Sequence, residues 1–374
     1  MNRPLPFAWI SCVGEKGGAE TLMIECLRAL DRSQFEPHVI QLRPGPLEAL
    51  LGEIDVRVHV LRHHRMREVH RIVEAIGQIR ALTHRHGLRL LHSNGFRAHV
   101  YGGLAALWTG VPEVWTGHTF EQPGWSTRAI LAIPTRHVLA NCPRTADFYR
   151  PRVTAPVDVV WPGVNIAVLE KGTPRPALAA KFNLPATARW VSMGARLQRY
   201  KGQIEFLHAI AATATHDIHG IIIGGSLFGQ ESDYERELKS LAMRLGIADR
   251  VTFTGFIADA DVAGLLAASY VTIHPAHEED FGLSVAEAQA LGVPTIAFAA
   301  VGPAAIIIDG ETGWLAPIGD QALLNRFLGN ALADPAETRR RGFRAKEECL
   351  RRFGVGEHVR RTVEAYRSAL ESSG

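Results

Sequence analysis

Short apolar, β-branched runs alternate with longer amphipathic segments along nearly all of the 374 residues. This is the pattern of βαβ units stacked into a parallel sheet. In the first half the expected strands are Phe7–Val13, Pro37–Gln41, Arg57–Leu61, Leu88–His92, Glu113–Thr116, His137–Ala140 and Val157–Trp161. Helical periodicity falls between them, as at Ala19–Leu30 and Arg67–His84. The alternation begins again with Trp190–Met193 and continues through Gly220–Ile223, Val251–Thr254, Tyr270–His274 and Pro294–Phe298. Expected helices between these are Ile204–Ala212, Ser232–Leu245, Asp261–Ala268 and Ser284–Leu291. The length suits two domains better than one, because single cores stop growing at roughly 250–300 residues. The weakly periodic segment from Ala167 to Pro185, with Pro174 and Pro176 inside it, is the expected linker. Each half opens with a strand and a glycine-rich turn, so ligands are expected at the carboxyl ends of both sheets, in a cleft between them.

Composition removes several classes. With 47% apolar and 21% charged residues the chain has the makeup of a globular protein, not of a disordered tract. Cys12, Cys26, Cys142 and Cys349 are scattered, with no metal-ligand spacing, and fit reduced thiols. Phe7–Val13 ends in a glycine turn and is expected to be a strand, not a signal peptide. No apolar stretch approaches the ~18–20 residues of a membrane span. The expected location is cytoplasmic, at most against the inner face of a membrane. The net charge of +3 is uneven: residues 57–97 hold nine arginines and seven histidines against Glu68 and Glu74. That stretch is either a solvated helix face or a surface for anionic lipid or a phosphate-bearing acceptor. It lacks the interleaved aromatics of a nucleic-acid binder.

Three segments can carry chemistry. Gly14-Glu15-Lys16-Gly17-Gly18-Ala19-Glu20 follows the first strand, where glycines admit a ligand to the backbone and a helix start offers N–H groups to an anion. It matches neither GxGxxG nor the phosphate loop GxxxxGK[ST], and any α/β protein can hold an ordinary glycine turn there. Gly194 to Gly202 sets Arg196 and Lys201 on a strand-exit loop. A guanidinium and an ammonium together can hold a diphosphate, or can be plain surface charge. Glu279-Asp280-Phe281-Gly282-Leu283-Ser284-Val285-Ala286-Glu287 follows the strand ending at His274. Its S-x-x-E portion also fits a helix capping box, in which Glu287 would only cap. The alternative is that Glu279 and Glu287 accept hydrogen bonds from sugar hydroxyls. On one continuous helix these glutamates would lie about 12 Å apart along the axis, beyond the ~5–9.5 Å of a glycosidase pair.

Glu279–Glu287 resembles the E-x7-E signature, with internal FGL, of the retaining glycosyltransferase family 4. Arg196-Leu197 with Lys201-Gly202 is similar to its RL-x3-KG element, Gly17-Gly18-Ala19-Glu20 to its GG-x-E, and Trp161-Pro162-Gly163-Val164-Asn165 to its interdomain turn. The resemblance implies an α/β GT-B fold, two Rossmann-like domains facing each other across a cleft. Residues 1–166, with a returning C-terminal helix at about 357–374, would form the acceptor-side domain, and 167–356 the donor domain. It implies that Arg196 and Lys201 hold the donor diphosphate, that Glu287 binds the ribose, and that Glu279 with Phe281, Gly282 and Leu283 holds the sugar. Gly17 and Gly18 would lie against donor or acceptor, and His118 near the sugar. The donor would be a UDP- or GDP-hexose and the acceptor a hydroxyl on a sugar or lipid-linked sugar. No cofactor and no metal is expected. Where many members carry a glutamate after a Gly-Pro turn, this chain has Gly302-Pro303-Ala304-Ala305, so the resemblance does not imply that donor contact here. Asp259-Ala260-Asp261 looks like a metal-binding DxD, but it precedes a helical pattern and is expected to supply an N-cap. A nucleotide-sugar epimerase of the same fold and a non-catalytic sugar-nucleotide module are the competing functions.

Overall fold

The computed structural model describes residues 3–61, 69–118, 124–213, 217–226 and 232–371. The chain divides into two compact units, residues 1–163 with 355–374, and residues 164–354. Among the described residues no helix is long and apolar enough to cross a membrane.

Unit one carries seven parallel strands: β1 (Leu5–Ser11), β2 (Phe35–Gln41), β3 (Arg57–Val60), β4 (Leu90–Asn94), β5 (Glu113–Gly117), β6 (His137–Ala140) and β7 (Val157–Val159). Their order is β3-β2-β1-β4-β5-β6-β7, so the winding reverses between β1 and β4. Both faces are covered, so the central strands β1, β4, β5 and β6 are buried almost throughout, whereas the edge strands β3 and β7 alternate, as Arg-Val-His-Val and Val-Asp-Val. Phe7, Trp9 and Val39 pack on one face with Met23, Leu27 and Tyr366. Ala8, Ile10 and Ile40 pack on the other with Ile76, Ile79 and Tyr101. The closing helix Val355–Glu371 lies on the first face, where the Tyr366 hydroxyl is 2.6 Å from His92 Nδ1. Beneath helix Phe96–Thr109, His99 Nδ1 lies 3.0 Å from both oxygens of buried Glu113, which also accepts from Ser93 Oγ at 2.5 Å. Residues 62–68 of the arginine- and histidine-rich stretch lie outside the described residues.

Unit two carries β8 (Arg189–Gly194), β9 (Ile218–Ile223), β10 (Val251–Phe253), β11 (Val271–His274), β12 (Thr295–Phe298) and β13 (Gly313–Ala316), all parallel, in the order β10-β9-β8-β11-β12-β13. Here the winding reverses between β8 and β11.

Two expectations need correction here. Residues 167–185 are not a linker: helices Ile166–Leu169 and Arg175–Lys181 belong to unit two. Pro174 and Pro176 flank the first position of the second helix, where proline costs no hydrogen bond. Leu178 is fully buried, and the Arg175 guanidinium sits 3.8 Å above the Trp190 ring. Asp259 and Asp261 do not cap their helix, whose N-cap is Ala258. Asp261 turns inward, where it meets Lys181 Nζ at 2.6 Å and accepts from Thr173 Oγ1 at 2.7 Å. A tertiary cation displaced the local N–H groups as its partner.

Candidate functional site

In an open parallel sheet the reversal of winding leaves a crevice at the carboxyl ends of the two strands involved. The motif residues of unit two lie there. The Ala195 N–H donates to Ile223 O at 3.0 Å, the Leu197 N–H to Gly225 O at 3.1 Å, and Gln203 Nε2 to Arg196 O at 2.7 Å. With Leu197 buried and the backbone pinned, the Arg196 side chain is left exposed, with no ion pair among the described residues. A short 3-10 turn, Arg199–Lys201, then leads into helix Gln203–Ala211. At Gly202 the backbone has φ +85°, and a Cβ would stand 2.0 Å from Pro275 O. Only glycine lets the loop after β8 touch the loop after β11.

That contact delivers Lys201 to Glu279. Lys201 Nζ donates to Glu279 Oε2 at 2.7 Å, and His274 Nε2 lies 3.1 Å from the same oxygen. The two paired side chains are 13% and 15% exposed. Burial pushes the Glu279 carboxyl up, but His274 and Lys201 more than offset it and hold it at about 2. The carboxylate is therefore ionised at neutral pH. Its other oxygen, Oε1, takes no hydrogen bond among the described residues.

Downstream, the Gly302 N–H donates to Glu279 O at 2.9 Å, and a Cβ on Gly302 would fall 2.0 Å from Phe281 O. Phe281 is buried against Phe353, with ring centroids 5.7 Å apart. Gly282, at φ +87°, is the N-cap of helix Leu283–Ala290. The capping-box alternative is not realised: Ser284 Oγ donates to Gly194 O at 2.6 Å instead of capping. Glu287 is half-buried at the fifth helical position. Glu279 is off the helix, so the two glutamates do not share one helical axis.

Unit one has a second polar cluster at the carboxyl ends of β1, β4 and β5. Gly14 is a structural glycine, since a Cβ there would meet Pro44 O at 2.2 Å. Gly17 caps helix Gly18–Ala29, and its N–H donates to Glu20 Oε2 at 3.2 Å. A Cβ at Gly18 would meet no atom within 4 Å. Glu20 Oε1 accepts from Asn94 Nδ2 at 3.4 Å, and Asn94 Oδ1 lies 2.7 Å from His118 Nε2. With its amide committed to Glu20, Asn94 offers His118 an acceptor. That assigns the His118 proton to Nε2 and leaves Nδ1 with a lone pair. Burial, then the nearby His358, lowers His118 to about 4, so the ring is neutral at pH 7. Burial raises Glu20 above its usual range against the hydrogen bonds it accepts.

The predicted residues thus fall into two groups: Lys201, Glu279, Phe281, Gly282, Leu283 and Glu287 with exposed Arg196 in unit two, and Gly17, Gly18 and His118 in unit one. Sequence reasoning missed His274, Asn94 and Gln203. The first two are polar residues ending buried strands at a reversal of winding, and that position was the available signal. Gln203 is fully buried just after the lysine-glycine pair, and only contacts reveal its purpose.

Residues 174–348 match the family model of group 1 glycosyl transferases, and residues 16–168 that of glycosyltransferase family 4. D-inositol 3-phosphate glycosyltransferase from Streptomyces avermitilis is 30% identical over 307 residues, covering 76% of this chain and 66% of the relative, just under two thirds of its length. The protein so described from Arthrobacter sp. (strain FB24) is 30% identical over 327 residues, covering 81% and 76%. Anabaena Alr3699/HepE, solved in complex with UDP-glucose, superposes with a TM-score of 0.84 at 23% identity, covering 97% of this chain and 100% of that one. A glycosyltransferase from Rickettsia africae gives 0.86 at 18% identity, covering 99% of each. The two parallel-sheet units are those of the GT-B fold. The chain belongs to glycosyltransferase family 4.

Proposed function

We propose that the chain is a retaining glycosyltransferase, moving a hexose from a UDP- or GDP-sugar to a hydroxyl acceptor without a metal cofactor. The observation that carries this is the buried Lys201–Glu279–His274 cluster beside the helix start at Gly282, with exposed Arg196 on the adjoining strand exit. Arg196 and Lys201 supply two positive charges and the helix start supplies N–H groups, which together neutralise a departing diphosphate. Glu287 takes the ribose hydroxyls, and the free Oε1 of Glu279 accepts from a sugar hydroxyl. In the transfer, the acceptor oxygen bonds to the anomeric carbon as the bond from that carbon to phosphate oxygen breaks. The acceptor proton passes to the departing phosphate on the same face. His118, neutral with Nδ1 unprotonated, accepts from a sugar hydroxyl without adding charge.

The acceptor in this reading carries phosphate. Arg43 and Arg97, both exposed, follow β2 and β4 at the strand carboxyl ends and flank Cys12. The curated relatives described as D-inositol 3-phosphate glycosyltransferases favour the same chemistry. We place the enzyme in the cytoplasm, with any membrane contact through the basic stretch at 57–97. An epimerase or a non-catalytic module is disfavoured by the family and by the intact Lys201–Glu279 pair.

The direct test is a thermal-shift panel of nucleoside diphosphates followed by transfer assays. UDP or GDP at 100 times its Kd should stabilise the chain by about 2.7 kcal/mol, and Glu287→Ala should abolish that shift. No shift with either nucleotide, or an undiminished one in Glu287→Ala, would refute the donor assignment. A sharper test uses Gly18. Nothing in the protein itself requires glycine there, so Gly18→Ala should leave stability unchanged or raise it by about 0.4–1 kcal/mol. If a substrate lies against that backbone, KM should rise roughly tenfold or more, as expected for an intruding methyl that costs at least 1.4 kcal/mol. An unchanged KM for both donor and acceptor would remove Gly18 from the site.

A further inference from the structure

His38, His59 and His86 converge at the β2–β3 edge of the unit-one sheet, apart from the polar cluster at the carboxyl ends of β1, β4 and β5. His38 is in the middle of β2, and His59 is on the neighbouring edge strand β3. His86 ends helix Val69–His86, which runs from the carboxyl end of β3 to the amino end of β4. His38 Nδ1 lies 3.0 Å from His59 Nε2. The ring centroids are 5.3 Å apart for His38 and His59, 5.1 Å for His38 and His86, and 4.7 Å for His59 and His86. One nitrogen from each ring lies within 4.8 Å of the other two. Ligands held 2.0–2.1 Å from a tetrahedral zinc are separated by about 3.4 Å, so small side-chain rotations bring the three onto one ion.

We infer that these three imidazoles bind a single divalent cation of the zinc class, with a fourth position open to water. Nitrogen-only ligation by three histidines suits zinc in preference to calcium or magnesium, which take oxygen. The buried His38 carries its own orienting group: Glu36 Oε1 lies 3.5 Å from His38 Nε2. A carboxylate on that side keeps the proton on Nε2 and leaves Nδ1 free for metal. Burial lowers His38, as does Arg57. Burial, then His38 and His86, lowers His59 to about 4. Both rings are thus uncharged at neutral pH. With His38 Nδ1 as the acceptor, the 3.0 Å contact puts the His59 proton on Nε2, so a metal entering there moves that proton to His59 Nδ1. Arg57 and Arg85 stand close enough to act on His59, and their charge opposes a cation. The expected Kd is accordingly on the order of 1 µM, far weaker than a four-ligand structural zinc site. None of the three histidines belongs to the proposed transfer machinery, so the site is testable with no sugar substrate.

The test uses the full chain without a histidine tag, stripped with EDTA and titrated with Zn²⁺ against a chromophoric chelator, then with Co²⁺. One equivalent should bind, Co²⁺ should give the visible bands of a tetrahedral site, and zinc should raise Tm. His59→Gln and His86→Gln, both half-buried positions, should keep the parental circular dichroism and each weaken binding at least about tenfold. Absence of stoichiometric binding at 100 µM metal overturns the inference. So does parental affinity in the doubly substituted protein, which would put the metal on other histidines.

Discussion

Lys201→Ala should lower kcat/KM for sugar transfer by roughly 10²–10³-fold, the loss typical of removing one preorganised group that stabilises developing charge. It should also lower Tm, because it strips a partner from a carboxylate that is largely buried. Arg196→Ala should cost similar activity with Tm unchanged, since its side chain is exposed and makes no ion pair among the described residues. The contrast separates chemistry from structure. A leaving-group role for both cations predicts two slow enzymes of which only one is less stable. Near-parental transfer in either variant would remove that residue from the mechanism. A pH dependence follows with a definite sign. Glu279 is held at about 2, below its ordinary 4.5, so the stability it contributes is present above about pH 4.5 and is lost as pH falls through about 2. In Lys201→Ala that contribution shrinks, and the Tm gap from the parent should narrow below pH 4.5.

Gly302→Ala should be equally severe by a different route. Its Cβ would lie 2.0 Å from Phe281 O, 2.3 Å from Phe281 C and 2.4 Å from Phe281 Cα. All three atoms are backbone, so no side chain can swing aside. The segment from Glu279 to Gly282 must move, and with it the carbonyl of Glu279 that accepts from the Gly302 N–H. Overpacking of this kind costs about 3 kcal/mol, or a drop of about 6–12 °C in Tm for a unit of this size. Donor binding should weaken with it. A variant with parental Tm and donor KM would mean that the two loops are not locked together as described.

Most strands were legible because they are buried on both faces of parallel sheets and carry short apolar runs, as at 220–223 or 138–140. β13, Gly313–Ala316, was not, since four residues opening on glycine give little signal. The segment 167–185 resembles a linker in sequence because proline breaks a helix interior, but Pro174 and Pro176 sit at the start of a helix, where proline is tolerated. The cap expected at Asp259–Asp261 and the capping box that Ser284 could have formed are absent for one shared reason. A local hydrogen bond competes with partners distant in sequence, and here Gly194 and Lys181 won.

Sequence by itself determined the fold class and the family, because apolar runs, glycine turns and charged motif residues are local properties of the chain. Tertiary structure alone decided which of those residues meet. Lys201 reaches Glu279, 78 positions away, only because Gly202 lets two loops touch at Pro275. His118 has a defined tautomer only because Asn94, from another strand, is already engaged by Glu20. Ionisation and proton placement depend on such neighbours and on burial, and the order of residues along a chain specifies neither directly.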